Sequence, residues 1–330
     1  MIYSPHTFEI TLKLDTNEFG KLLGKAYEKA KDKHRLYRKK KDTIYHDDAF
    51  LKHGIKIEYD DGIYKKRIKF IVNSTKLLGG NDIKKLWKPK EDNISKVLQE
   101  LNDHIDDYFD SKYTLNDFKL TRIDFTVNID VKNEKNVSDY IKVLHNIGKV
   151  KFFAPKYSRN DSQINKDLSF DLEGNSNGIE FSAYDKEAES NQKEAKGILR
   201  VEVRLKKQET ICKYTDKDIT SKQFQSLALD SKRIFLSIFS RIVPFGDYYK
   251  KKKAEKIINE NIHKKKQREK MLRLIELIPK KKSLYLALKE MKERDIDKVM
   301  IMFAELNLSP VTISKSHKLN SLISLYSYLS

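Results

Sequence analysis

Strict two-residue alternation in three separated segments constrains this chain more than any other feature. In LTRIDFTVNID, residues 120–130, Ile123, Phe125, Val127 and Ile129 alternate with Arg122, Asp124, Thr126, Asn128 and Asp130. Successive side chains of a strand point to opposite faces, so the pattern specifies a strand with one apolar and one polar face. GIEFSAYDKE, residues 178–187, sets Ile179, Phe181 and Ala183 against Glu180, Ser182, Tyr184 and Lys186. ILRVEVRLKK, residues 198–207, sets Leu199, Val201, Val203 and Leu205 against Arg200, Glu202, Arg204 and Lys206. Strands that are apolar on one face only must be backed by another layer.

The rest of the chain supplies that layer. Alternation over residues 7–14 predicts a first strand, followed by a helix over 17–38. Strands over 55–59 and 63–72 flank Asp60, Asp61 and Gly62, residue types suited to a tight turn. Asn93 is placed to cap a helix whose stripe is Ile94, Val97, Leu98, Leu101 and Ile105. A similar order then recurs: the strand at 120–130, a helix over 137–147 stopped by Gly148, a short strand at 150–153, strands at 179–185 and 199–206, and a helix over 222–242. We expect an α+β fold whose central antiparallel sheet is built from two related βαββα-like halves, with a helical C-terminal region. No sequence identity between the halves supports the duplication. Composition shifts after residue 246, which divides an α+β region, 1–246, from a basic helical region, 247–330.

Sixty-seven Lys and Arg against 48 Asp and Glu leave a net charge of +19 in 330 residues, a field that draws polyanions. Three lysine runs concentrate it: Lys39, Lys40 and Lys41; Lys250, Lys251 and Lys252 with Lys253; and Lys264, Lys265 and Lys266. Such runs suit phosphate contact, although each alone also fits a solvated helical face. The segment LNLSPVTIS, 306–314, is placed to be the turn of a helix-turn-helix unit, with Ser309 and Pro310 opening its next helix. The single cysteine, Cys212, excludes an internal disulfide and a cysteine-based zinc site. No apolar run approaches the about 18 residues of a membrane span, so we expect a cytoplasmic chain with no membrane partner.

If the three alternating strands are neighbours, their polar faces bring carboxylates, a tyrosine and several cations together. Phosphodiester transfer by a tyrosine needs that mixture. The phenol must lose a proton, and the phosphorus and leaving oxygen need positive charge. Asp124 and Glu202, with Asp130 or Glu180, are candidate oxygen ligands for Mg2+ or Mn2+. Lys186, two residues from Tyr184, is placed to steady a phenolate. A solvated sheet face also shows alternating charge, so the pattern by itself fits cross-strand ion pairs equally well.

The motif order adds to this. LTRIDFTVNID, then AYDKEAE, then GILRVEVRLK resemble successive motifs of phage and plasmid rolling-circle replication initiators of the filamentous-phage gene II type. They are also similar to initiators of small staphylococcal plasmids. The resemblance spans residues 120–207, with a weaker echo in NSTKLLGGND, 73–82. It implies a relaxase-like nickase that binds single-stranded or hairpin origin DNA, joins a tyrosine to the 5′ phosphate, and works with a host helicase and polymerase. By position, Asp124 and Glu202 would be its metal carboxylates, Arg122 and Arg200 their supports, and Tyr184 and Lys186 its Tyr-Asp-Lys motif. Two departures stand out. None of the eight histidines forms the His-hydrophobic-His pair of most such nucleases. The stretch ten residues before Tyr-Asp-Lys, FDLEGNSN, lacks the tyrosine of the plasmid initiators, which makes Tyr184 the first candidate nucleophile and Tyr157 the second. The rival readings are a non-catalytic DNA-binding protein on the same scaffold, or an RNA-binding or structural phage protein. A homodimer is compatible with all of them.

Overall fold

The computed structural model describes residues 1–30, 36–38, 43–80, 82, 84–132, 134–156, 168–291, 296–314 and 318–329. Lys39, Lys40, Lys41 and Tyr157 lie outside the described residues. In chain order the first elements are β1 (Ser4–Leu14), α1 (Thr16–Ala30), β2 (Leu36–Arg38), β3 (Ile44–Asp47), β4 (Ile55–Gly62), β5 (Lys65–Asn73), α2 (Ser74–Leu77) and α3 (Glu91–Phe109). They are followed by β6 (Lys119–Asp130), α4 (Glu134–Ile147), β7 (Phe153–Pro155), β8 (Ser169–Gly174), β9 (Ile179–Asp185), α5 (Lys186–Ser190), β10 (Ile198–Leu205), α6 (Gln208–Ile211), α7 (Thr220–Leu229) and α8 (Ser231–Ile242). The remainder is β11 (Tyr248–Tyr249), α9 (Lys251–Asn261), α10 (Lys265–Lys281), α11 (Leu284–Met291), α12 (Ile296–Glu305), β12 (Ser321–Leu322) and α13 (Tyr326–Leu329). No helix of the described residues is long and apolar enough to cross a membrane.

Two compact units result. The first-half unit comprises residues 2–126 and 204–234, and the second-half unit residues 127–203 and 235–330 with Met1. In the first-half unit the strand order is β2-β3-β4-β5-β1-β6, and in the second-half unit β6-β10-β9-β8-β7. Strand β6 serves both because it runs through the boundary at Thr126. Each half of the chain therefore uses one plan: a strand and a helix, then four strands of which the last lies beside the first, and then helices. That is the expected mixed α+β architecture with related halves, and the register of the pairs between β2 and β5, β5 and β1, β1 and β6, and β7 to β9 is antiparallel throughout.

In the first-half unit, Phe8, Ile10 and Leu12 of β1, Ile55, Ile57 and Tyr59 of β4, and Ile68, Phe70 and Val72 of β5 are buried on one face. Helix α3 covers it with Ile94, Val97, Leu101, Ile105 and Phe109, nearly the stripe expected from spacing. From α7, Phe224 packs against Phe8 in a tilted pair with ring centroids 4.4 Å apart. In the second-half unit, α4 buries Val137, Tyr140, Ile141 and Leu144, and α8 packs Phe239 against Phe181 of β9.

Several local expectations change. The helix runs over Thr16–Ala30, and residues 36–38, expected as its end, form strand β2 paired with β3. Asp60, Asp61 and Gly62 belong to β4, with Ile63 and Tyr64 as the turn, because Asp60 and Asp61 pair with Arg67 and Lys66 directly across the ladder. Lys90 rather than Asn93 caps α3, and Asn93 Nδ2 instead donates to the Lys88 carbonyl. The helix over 222–242 is two helices broken at Asp230.

The expected helix-turn-helix is also absent among the described residues. Leu308 and Ile313 bridge Asp247 and Lys250 in parallel and residues 310 and 311 form a bend between them, so Ser309 and Pro310 open no helix. Tyr140 Oη donates to the Ile323 carbonyl, and the Ser324 amide donates to Asp247 Oδ1. Residues 247–330 thus pack within one compact unit together with residues 127–203, so the compact units are cut along a different line from the compositional boundary at 246.

Candidate functional site

Tyr184 is the penultimate residue of β9. The aspartate after it explains why the strand ends there: Asp185 caps α5, its carboxylate accepting from the Glu187 and Ala188 amides. Alternation along β9 buries Phe181 and Ala183 and puts Ser182 and Tyr184 on the polar side. Across the ladder stand Asp171 opposite Ser182 and Ser169 opposite Tyr184, and Ser182 Oγ donates to Asp171 Oδ1.

The Tyr184 hydroxyl donates to Glu202 Oε1 at 2.6 Å. Burial raises the phenol's pKa above its usual value, and the Glu202 charge raises it further, while the Arg200 guanidinium pulls it down. The phenol is accordingly protonated at neutral pH, with an acceptor carboxylate already at its proton. Arg200 is itself buried, and its Nε donates to Asn128 Oδ1 at 2.8 Å, which fixes the guanidinium plane. Tyrosine, carboxylate and arginine are therefore assembled inside one unit.

Lys186 departs from its expected place. It is the first residue of α5 rather than a strand neighbour of Tyr184, and its ammonium is held by Glu189. The cation acting on the phenol is Arg200. Spacing along β9 could not reveal this, because Arg200 belongs to β10.

Asp124 and Arg122 belong to the first-half unit. Arg122 makes a two-point contact with Asp124, Nε to Oδ1 at 2.8 Å and Nη2 to Oδ2 at 2.6 Å, and its Nη1 reaches Glu9 Oε1 at 2.8 Å. Arg204 Nε approaches the same Asp124 oxygen at 3.7 Å. Burial would lower the Arg122 pKa, but the Asp124 hydrogen bonds and the Asp124 and Glu9 charges more than offset it, so the group stays cationic. Glu9 was not singled out from the sequence; the alternation of residues 7–14 puts it on the polar face, and its register partner is Arg122.

The other two proposed ligands are engaged differently. Glu180 is buried and accepts from Lys156 Nζ at 3.0 Å, and Asp130 is exposed and accepts from the Lys132 amide at 2.8 Å. Among the described residues no three His, Cys, Asp or Glu side chains converge in a way that could hold a metal ion. The donors expected to bind Mg2+ or Mn2+ are engaged here by arginines, a lysine, an amide and a phenol.

The two lysine clusters among the described residues sit at helix starts. Lys250 and Lys264 occupy the N-cap positions of α9 and α10 without a side-chain capping bond, and neither helix has an acidic residue in its first turn. Cations there oppose the helix dipole, a cost that an incoming phosphate would relieve. Residues 250–282 carry fourteen Lys and Arg against four Asp and Glu, so this stretch accounts for about half of the chain's net charge. Lys252, Lys264, Lys265 and Lys266 are exposed, Lys251 lies 3.6 Å from Glu255, and Lys253 stands 4.8 Å over the Tyr249 ring.

Residues 55–226, just over half of the chain, match the family model that describes the N-terminal region of the phage replication-associated protein of gene II. The matched span contains Arg122, Asp124, Tyr184, Arg200 and Glu202. No curated protein matches the sequence. Among solved structures, a rolling circle replication initiator protein from Geobacillus stearothermophilus aligns over 72% of this chain and 83% of its own, at 13% identity and a TM-score of 0.36.

Proposed function

Because this chain belongs to the family of phage replication-associated proteins defined by the N-terminal region of the gene II protein, we propose that it initiates rolling-circle replication by nicking one strand of origin DNA, with Tyr184 as nucleophile. The observation that carries this reading is the Tyr184–Glu202 hydrogen bond beside Arg200. A general base must lie within hydrogen-bond reach of the proton it takes, and Glu202 does.

In the proposed step the Tyr184 oxygen attacks phosphorus while its proton passes to Glu202 Oε1. The bond from phosphorus to the 3′ oxygen breaks, and that oxygen takes up a proton to become a free 3′ hydroxyl. Glu202 then releases its proton to solvent, so the balance is neutral. The products are a 5′ phosphate esterified to Tyr184 and a 3′ end able to prime synthesis. Arg200 supplies positive charge as the phenol loses its proton. Burial raises the phenol's pKa, so proton transfer and attack must be coupled rather than sequential. Mg2+ or Mn2+ belongs to the proposal as something to titrate, and no step is routed through it. The exposed lysines of 250–266 would hold the DNA backbone, host helicase and polymerase would extend the primer, and the chain would act in the cytoplasm.

The test is incubation with single-stranded origin DNA, with and without Mg2+ or Mn2+, followed by a denaturing gel. A covalent adduct should form with the natural chain and vanish in Tyr184→Phe, while binding stays within about twofold. A normal yield from Tyr184→Phe would move the nucleophile elsewhere, with Tyr157 next. One observation favours the rival, a non-catalytic DNA-binding protein: the Asp124 carboxylate is saturated by arginine. Binding without any adduct, with or without metal, would select it.

A further inference from the structure

The β4–β5 hairpin of the first-half unit ends in a feature that the nicking chemistry does not use. Its two-residue turn is Ile63 and Tyr64, exposed by 85% and 94%, more than any other large apolar side chain among the described residues. The register shows that this tip projects. On one side β3 pairs no farther than Ile44 with Asp60, apart from the Asp61 amide donating to the Thr43 carbonyl, and on the other β1 pairs no farther than Leu14 with Lys66. Among the described residues, Gly62 to Lys65 therefore pair with neither flanking strand.

The stem is stiff directly beneath the tip. Asp60 and Arg67 face each other across the ladder and pair, as do Asp61 and Lys66. Lys66 also stands 5.7 Å from the centroid of the Phe19 ring on α1. Local turn preference does not account for the tip residues. Tight hairpin turns favour Asn-Gly or Gly-Gly at positive φ, whereas neither Ile63 nor Tyr64 adopts positive φ. A β-branched and an aromatic side chain held in water at a rigid, projecting turn are poised to enter something apolar. Exposed Lys65 adjoins them and exposed Lys13 lies opposite Arg67 on β1, while Asp60 and Asp61 are paired with Arg67 and Lys66.

We propose that this tip is a stacking wedge for the junction between single- and double-stranded DNA. Tyr64 stacks on the base exposed at the end of a duplex, Ile63 packs against the neighbouring step, and Lys65 and Lys13 meet the flanking phosphates. Nucleic acid satisfies both halves of the requirement, because every base offers a flat apolar face beside a phosphate. The inference rests on the DNA-directed reading above and deepens it, naming a junction as the preferred substrate.

The experiment uses the full chain and two fluorescent oligonucleotides of equal length: a hairpin with a single-stranded tail whose first unpaired base is 2-aminopurine, and an unstructured strand carrying the same base. Tyr64→Ala should weaken junction binding by about 5- to 100-fold, the equivalent of one lost base stack, and abolish the change in 2-aminopurine emission. Affinity for the unstructured strand should change less than about twofold. Tyr64→Trp should retain junction affinity, with tryptophan emission quenched by the junction above the signal of buried Trp87. Because the side chain touches no core, all variants should melt with the natural chain. Unchanged junction binding by Tyr64→Ala, or equal loss on both probes, overturns the wedge while leaving the replication reading standing. Failure of the natural chain to bind either probe removes both. Quenching of Tyr64→Trp by anionic phospholipid vesicles but not by DNA would assign the tip to a membrane surface and overturn the proposal.

Discussion

Charge removal at the start of α10 tests the proposed DNA-binding surface with a magnitude set by the number of exposed lysines there. Lys264, Lys265 and Lys266 are all exposed, and none forms an ion pair with a described residue, so each is available to a phosphate. On single-stranded DNA each contact contributes roughly 0.7 to the slope of log K against log salt, so replacing all three by glutamine should flatten that slope by about 2. Between about 50 and about 200 mM salt, the affinity advantage of the natural chain over the triple variant should therefore shrink by nearly 20-fold. Folding gives no escape from this prediction. Lysines at a helix start oppose its dipole, so neutralising them should leave the melting temperature unchanged or slightly higher. Fluorescence anisotropy of a labelled oligonucleotide at four salt concentrations measures the slope. Parallel lines for the two proteins would refute any role of this cluster in holding DNA.

Asp124→Asn should destabilise the chain by about 2–4 kcal/mol in urea denaturation, because it leaves the Arg122 and Arg204 cations facing an uncharged amide; a change within experimental error would make the contact dispensable. Gly148→Ala should cost about 2–4 kcal/mol, since Gly148 has φ +60 and an added Cβ would lie 2.1 Å from the Lys282 carbonyl oxygen; an unaltered midpoint would mean that α4 and the segment at 282–283 separate freely. Burial raises the phenols of Tyr3, Tyr108, Tyr140, Tyr184, Tyr248 and Tyr326, that of Tyr3 to about 12. A raised folded pKa gives stability that is full below the unfolded value near 10 and is lost as pH rises through the folded value. These phenols should ionise only as circular dichroism reports unfolding, and phenolate absorbance rising fully before any unfolding would contradict their burial.

Much of the sheet was legible because alternation is local. The polar faces of residues 120–130 and 198–206 emerged from a period of two, and so did the burial of Ile123, Phe125, Val201 and Val203. Tyr184 was found by motif order, and Arg200 and Glu202 by strand phase. Their mutual roles were not legible, since a hydrogen bond from one strand to another depends on which strands are neighbours and in what register. Strand β8 escaped detection because FDLEG reads as polar and glycine-rich until Phe170 and Leu172 are seen to be buried. The tail misled for a related reason. Leu308, Val311 and Ile313 are apolar at intervals that suit either period, and the backbone bridges to Asp247 and Lys250 hold the segment out of a helix.

That tail has a consequence for synthesis. Residues 127–203 leave the ribosome well before residues 308–329, yet the later stretch supplies the partners of Tyr140, Val243 and Asp247. A nascent chain halted near residue 300 would carry the phenol and its carboxylate on strands whose supporting layer is unfinished. Translation of this region must run nearly to residue 329 before these three partners of the half that bears Tyr184 are all supplied.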